Sequence, residues 1–213
     1  MVVARTGVRD LILSRLAPPP ARGYRPEGPP PRGDYDLTPE VRDTLPPGRA
    51  LRHAAVLVPI VDHPEGATVL LTQRTKHLSN HAGQVSFPGG RVEETDDGPV
   101  EAALRETQEE IGLHSSHVEV LGRLDAYETG TGFHITPVVG LVRPGFTLAL
   151  DPFEVEAAFE VPLDHILDIA SHERRSGMWQ GIERHYWVIT HPERFIWGAT
   201  AGMLVDFARK LGV

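Results

Sequence analysis

A chain of 213 residues with 40% hydrophobic side chains suits one substantial domain with an appendage, or two very small ones. It has no cysteine, which excludes disulfides and thiolate zinc sites, fits a reducing, cytoplasmic setting, and leaves oxygen and imidazole as the only metal donors. The formal charge of -8 argues against a nucleic-acid or anionic-membrane surface, because phosphate backbones are bound by a surplus of lysine and arginine.

In chain order, MVVARTGVRDLILSRLA lacks the continuous apolar centre and cleavage pattern of a secretory signal. Val8, Leu11, Ile12 and Leu16 recur at helical spacing, which predicts a short amphipathic helix that docks on the body. Between Ala17 and Gly48 lie ten of the 19 prolines, including PPP at 18–20 and 29–31. Proline removes a donor and disfavours helix before it, so this segment reads as an extended arm, with a proline-rich recognition motif as the alternative. Residues 1–50 are thus read as helix and arm, and 51–213 as the main domain.

From Leu51 short apolar runs alternate with turn signals. AAVLVPIV at 54–61 is far short of the roughly 20 residues needed to span a bilayer and reads as a buried strand. LRHAAVLVPIV and ATVLLTQR flank DHPEG as a hairpin, and QVSFPGG is a third strand running into a loop. After a helix opening at Gly98-Pro99, VEVLGRLDAYET, HITPVVGLV, AAFEVP and HYWVIT read as strands, with LDHILDIA and GATAGMLVDFARKL as helices. ETGTGFH, at 128–134, has the glycines of a mobile substrate loop or of a plain hairpin. The sum is an α/β or α+β layered domain without regular doubly wound alternation and without internal repeats.

The helix after Gly98 carries the chemistry. Gly98 or Asp97 is the expected N-cap, Pro99 the first helical residue and Gly112 the stop. At about 100° per residue, Val100, Ala103, Leu104, Thr107 and Ile111 form the expected core stripe, and Glu106, Glu109 and Glu110 share a patch on the other side. Like charges at i, i+4 cost roughly 0.2–0.5 kcal/mol per pair, and only Arg105 is at hand to offset them. A solvated helix face is the plain reading. Hard oxygen donors in excess suit Mg2+ or Mn2+, and the preceding Gly89-Gly90 lets main chain approach a metal or phosphate closely.

Gly90, Arg105-Glu106, Glu109-Glu110 and Gly112-Leu113 resemble the Nudix box, G-x5-E-x7-R-E-U-x-E-E-x-G-U with U apolar. The preceding LLTQRTKHLSNHAGQVSFPGG, residues 70–90, resembles the upstream signature of the coenzyme A diphosphatase branch, approximately LLTxR[SA]x3Rx3Gx3FPGG. Thr75 replaces a small residue, Ser79 replaces an arginine, and Thr107 fills an apolar slot. The acidic loop is one residue longer than the box allows, so Asp96 satisfies the count from Gly90 and Asp97 the count from Arg105.

The resemblance implies an α/β/α sandwich with a mixed sheet between helices, and metal-dependent hydrolysis of a phosphoanhydride. In coenzyme A this gives adenosine 3',5'-bisphosphate and 4'-phosphopantetheine. It implies Glu106, Glu109, Glu110 and the Gly89 carbonyl as ligands of Mg2+ or Mn2+, and Arg105 as the residue that orients the glutamates, through Asp96 or Asp97. In many members of the family a glutamate from a loop distant from the box is the general base; DPFEVEAAFEVPL offers Glu154, Glu156 and Glu160, of which Glu154 fits a loop best, and a water activated by the metals and Glu106 is the alternative. Arg74, Phe87 and Gly90 border the expected substrate cleft, with ordinary core as the alternative for Phe87. His77 and His81 give a weak zinc reading, lacking a motif-spaced third ligand. The expected partner is a small diphosphate rather than nucleic acid or membrane, with a homodimer as the candidate assembly. The rival readings are a Nudix hydrolase for a nucleotide sugar, dinucleotide or nucleoside triphosphate, and a non-catalytic Nudix ligand sensor.

Overall fold

In the computed structural model, which describes residues 7–45, 48–78, 81–179 and 181–212, the chain opens on helix α1 (Gly7–Arg15). Val8 and Ile12, one turn apart, are buried, with Leu11 and Leu16 packed beside them, so the apolar stripe is the docked face. The arm that follows is extended, as its prolines require, yet it lies on the body. Ala17 bridges Arg123, the Gly23 N–H donates to the Asp97 carbonyl, and Arg32–Gly33 (β1) pairs in parallel with Tyr127–Glu128. The Asp34 carboxylate accepts from the Tyr127 hydroxyl at 3.0 Å and the Gly130 N–H at 2.6 Å. A 3-10 helix at Pro39–Thr44 departs from the expectation of a helix-free arm; its proline sits in the first turn, where no donor is needed.

β2 (Arg52–Val61) and β3 (Thr68–Arg74) form the expected hairpin, with Ile60 opposite Val69. β2 is the axis of the molecule. Along it Val56, Val58 and Ile60 belong to one core cluster while Ala55, Leu57 and Val61 belong to another, the period-two signature of a strand buried on both faces. Its first half pairs with β5 (Gly89–Arg91) and its end with β3, and Pro59 falls between the two, where no ladder donor is needed on that side. β3 in turn carries β4 (Val85–Ser86). β5 and β3 thus occupy successive stretches of β2, and the glycine pair of β5 lies against the acidic helix.

That helix, α2 (Pro99–Ile111), starts at Gly98 and ends at Gly112 in the left-handed conformation, φ 71°, where a Cβ would meet the Ala149 backbone at 2.9 Å. β6 (Val118–Arg123), β7 (Tyr127–Glu128) and β8 (Phe133–Val142) follow, with β8 running parallel to β2 from Arg52↔Phe133 to Val61↔Val142. The 128–134 segment is a hairpin turn closed by Thr129 N–H to the Phe133 carbonyl and Gly132 N–H to Thr129. β9 (Val155–Pro162) completes the nine-stranded mixed sheet beside β3.

α2 covers one face of the sheet through Ala102, Ala103 and Ile111. The other face is covered by α1, α3 (Leu163–Leu167) and α4 (Gly198–Leu211), through Ile12, Ile166, Leu204 and Phe207. The result is the layered α/β/α sandwich with a mixed sheet. A second sheet joins β10 (His172–Trp179), β11 (Ile182–Ile189) and β12 (Ile196–Trp197). Only β11 was expected of these; β10 lacks apolar alternation, and residues 174–178 stand exposed along a ribbon.

Candidate active site

The core stripe expected on α2 needs correction. Its buried residues are Pro99, Ala102, Ala103, Thr107, Glu110 and Ile111, while Val100 and Leu104 are only partly buried. Thr107 fits its apolar slot by donating its hydroxyl to the Ala103 carbonyl at 2.6 Å. Glu110 is the larger departure, at 5% exposure rather than on an outer patch. A carboxylate can be buried only if donors meet it, and two do. The Gly89 N–H donates to Oε2 at 3.1 Å, and Arg74 Nη1 lies 3.6 Å from Oε1. Burial nevertheless pushes Glu110 up to about 7, with Glu154 and Glu106 adding to the rise and the Gly89 N–H and Arg74 opposing it.

Arg105 collects the remaining carboxylates. Its Nε and Nη2 clasp Asp96 at 3.0 Å each, and Nη1 reaches Glu106 at 3.1 Å and Glu109 at 3.0 Å. This bidentate hold pulls Asp96 below the usual carboxylate range and raises the guanidinium further. Asp97 takes no part: it faces solvent beside Arg22 at 3.2 Å. Asp96 therefore fills the role for which two aspartates competed, and it also accepts from the Glu93 N–H at 2.8 Å, closing the longer loop. Asp96→Asn is expected to cost about 2 kcal/mol in urea unfolding, the scale of a charged hydrogen bond lost from a buried site. Asp97→Asn should stay within about 0.5 kcal/mol of wild type.

Glu106 is drawn to the same place by Gly90. A Cβ on Gly90 would lie 2.5 Å from the Glu106 carboxyl carbon, so the carboxylate occupies the space a side chain would fill. Burial raises the Glu106 pKa, Arg105 lowers it, and Glu109 and Glu154 raise it again. Glu154 thus acts on both Glu106 and Glu110, and its Oε2 lies 4.0 Å from Arg74 Nη2. The three glutamates from which a base was sought are now separated. β3 and β9 slip register at Gln73/Arg74, passing over the exposed Glu156, and Glu160 is bonded to His63 and Thr68.

The structure therefore brings Arg74, Gly89, Gly90, Arg105, Glu106, Glu109, Glu110 and Glu154 together. Phe87 does not join them; it is 3% exposed in the core cluster on the opposite face, the ordinary-core alternative. His77 is exposed, and His81 bonds Gln84 at 2.9 Å. Ser79 lies outside the described residues. Thr75, in the sequence only a departure at a small-residue slot, holds the Glu154 turn by its N–H to the Glu154 carbonyl at 2.9 Å and its hydroxyl to the Phe153 carbonyl at 2.8 Å. Local pattern does not show this role, because its partners lie some 78 residues away.

Among the described residues, no three acidic or imidazole side chains stand grouped as a finished metal cage. The carboxylates are engaged by Arg105, Arg74 and the Gly89 N–H instead. The donor set still fits a hard divalent cation. Its side-chain donors are all carboxylates, one of them desolvated, over a glycine that leaves the approach open.

A family model described as NUDIX domain matches residues 51–180. The chain is 42% identical over 162 residues to the uncharacterized Nudix hydrolase NudL of Escherichia coli, covering 76% of this chain and 84% of that protein. Among solved structures it resembles a MutT/nudix family protein from Enterococcus faecalis, with a TM-score of 0.49 and 18% identity over 81% of this chain and 67% of that one. It also resembles the NUDIX domain of Shewanella oneidensis NrtR complexed with ADP ribose, with a TM-score of 0.44 and 20% identity over 61% and 86%.

Proposed function

Because the chain belongs to the Nudix hydrolase superfamily, we propose that it is a diphosphatase of coenzyme A or its derivatives, cleaving the phosphoanhydride to adenosine 3',5'-bisphosphate and 4'-phosphopantetheine. The observation that carries the reading is the meeting of the 70–90 segment with the acidic helix: Arg74 faces Glu110 and Glu154 while Gly89-Gly90 lies against Glu110 and Glu106.

In this reading Glu106, Glu109 and Glu110, with the Gly89 carbonyl, hold Mg2+ or Mn2+. When bound, such an ion neutralises diphosphate oxygens and lowers the pKa of water. Arg105, fixed by Asp96, keeps Glu106 and Glu109 turned toward the cleft. Arg74 is a phosphate reader: its guanidinium is already oriented by two carboxylates, and a diphosphate offers it stronger acceptors. Glu154, about half exposed, is the base that takes a proton from the attacking water. Glu160 is spent on His63 and Thr68 and leaves that role open to it.

The test is product analysis at millimolar Mg2+ or Mn2+ with coenzyme A, ADP-ribose and nucleoside triphosphates. Coenzyme A is expected to be cleaved most efficiently. Its survival, with cleavage of another compound in the panel, would leave the superfamily reading intact and overturn the substrate. Unaltered turnover by Glu106→Gln would overturn the metal-site assignment.

A further inference from the structure

We propose that the ring of Phe153 is the stacking platform for the purine base of the substrate, and so a specificity-determining residue; this rests on the nucleoside diphosphate reading above. Six large apolar side chains stand exposed among the described residues, and Phe153, at 74%, is the most exposed of them. Leu13, Ile169, Met178, Ile182 and Phe195 are remote in sequence from the acidic site, whereas Phe153 immediately precedes Glu154. Adjacent Cα atoms are about 3.8 Å apart, so the ring is carried on the same turn as the Glu154 carboxylate.

The backbone under that ring is fixed on both sides. The Asp151 N–H donates to the carbonyl of Glu110 at 2.9 Å, hanging the turn from the acidic helix. The Phe153 N–H donates to the Asp151 side chain at 2.9 Å, and the Glu154 and Val155 N–H groups donate to the Asp151 carbonyl at 3.1 and 2.9 Å. Thr75, the residue after Arg74, grips the other side at the Phe153 and Glu154 carbonyls. The ring is thus carried by a turn tied both to the helix of Glu106 and Glu110 and to the strand of Arg74.

Lone exposed apolar side chains are ordinary and mean nothing by themselves. Here an exposed ring sits on an ordered turn beside carboxylates, and a neutral π face can hold a planar group there without adding charge. Every base offers such a face, and stacking on an aromatic ring is sequence-tolerant. With the diphosphate between Arg74 and the glutamates, the nucleoside end reaches Phe153 and the other end points away.

The two products separate base from non-base binding. Titration calorimetry on the full chain with Mn2+ should use adenosine 3',5'-bisphosphate and 4'-phosphopantetheine as probes, against wild type, Phe153→Ala and Phe153→Trp. Phe153→Ala is expected to weaken adenosine 3',5'-bisphosphate by about tenfold and leave 4'-phosphopantetheine within about twofold, with Phe153→Trp restoring the nucleotide. Equal weakening of both probes, unchanged nucleotide affinity, or no nucleotide binding by wild type overturns the proposal. Sedimentation runs alongside. A dimer lost in Phe153→Ala with nucleotide affinity intact would assign the ring to a second copy and also overturn it. If wild type binds the nucleotide through Phe153 yet leaves coenzyme A whole, the stack stands and the substrate reading falls.

Discussion

Replacing Glu110 with glutamine is expected to cut turnover by about three orders of magnitude while making the metal-free protein more stable at pH 8. Both effects come from one fact, a carboxylate 5% exposed. In the folded chain its pKa stands at about 7, against an ordinary 4.5, chiefly because of burial. Between those values the folded protein keeps a proton that the unfolded chain has released. This group's contribution to stability therefore falls as pH rises from about 4.5 to about 7, and stays low above. Glutamine holds no such charge, so the variant should lack that part of the slope and gain roughly 2–4 kcal/mol over wild type at pH 8 in EDTA. Adding Mg2+ or Mn2+ should flatten the wild-type slope and leave the variant unmoved. Urea midpoints at pH 5 and 8, with and without the ion, read all of this. A variant weaker than wild type at pH 8 would mean that the Arg74 contact outweighs the burial penalty.

Much of this was legible in the sequence, and the parts that were not share a cause. The β2–β3 hairpin, the capped acidic helix and the two-faced core follow from local patterns: period-two alternation, Pro99 and Gly112 at the helix ends, and apolar runs between turns. Partnership across distance is what local pattern lacks. Glu110 reads as solvated until Arg74 arrives from β3 and the Gly89 N–H from β5. Asp96 and Asp97 are equivalent by counting, and differ only once the reach of Arg105 along its helix is seen. Glu154 separates from Glu156 and Glu160 because a bulge and a clamped turn set its direction. β10 stayed hidden for the opposite reason: its pairing with β11 is made by main chain, and its mostly exposed side chains carry no pattern.

The glycine pair should show the same division between fold and site when each member is given a methyl group. At Gly89, φ is 146° and a Cβ would meet the Ala55 carbonyl oxygen at 2.4 Å and the Val56 Cα at 2.6 Å. Backbone cannot step aside, so Gly89→Ala combines left-sided φ strain with overpacking against β2, and should cost about 3–5 kcal/mol. At Gly90 the obstacle is different: the Glu106 carboxyl carbon and Oε2 at 2.5 Å and Oε1 at 2.6 Å, the far end of a flexible side chain. Glu106 can swing away at small cost to the fold, but it then leaves Arg105 and the cleft. Gly90→Ala is therefore expected to unfold within about 1 kcal/mol of wild type and to lose about 100-fold in kcat, the scale of an ångström misplacement at a reacting centre. Weaker Mn2+ binding by calorimetry should accompany that loss. If Gly90→Ala instead unfolds as readily as Gly89→Ala while the folded fraction turns over normally, Glu106 is not the group that Gly90 makes room for.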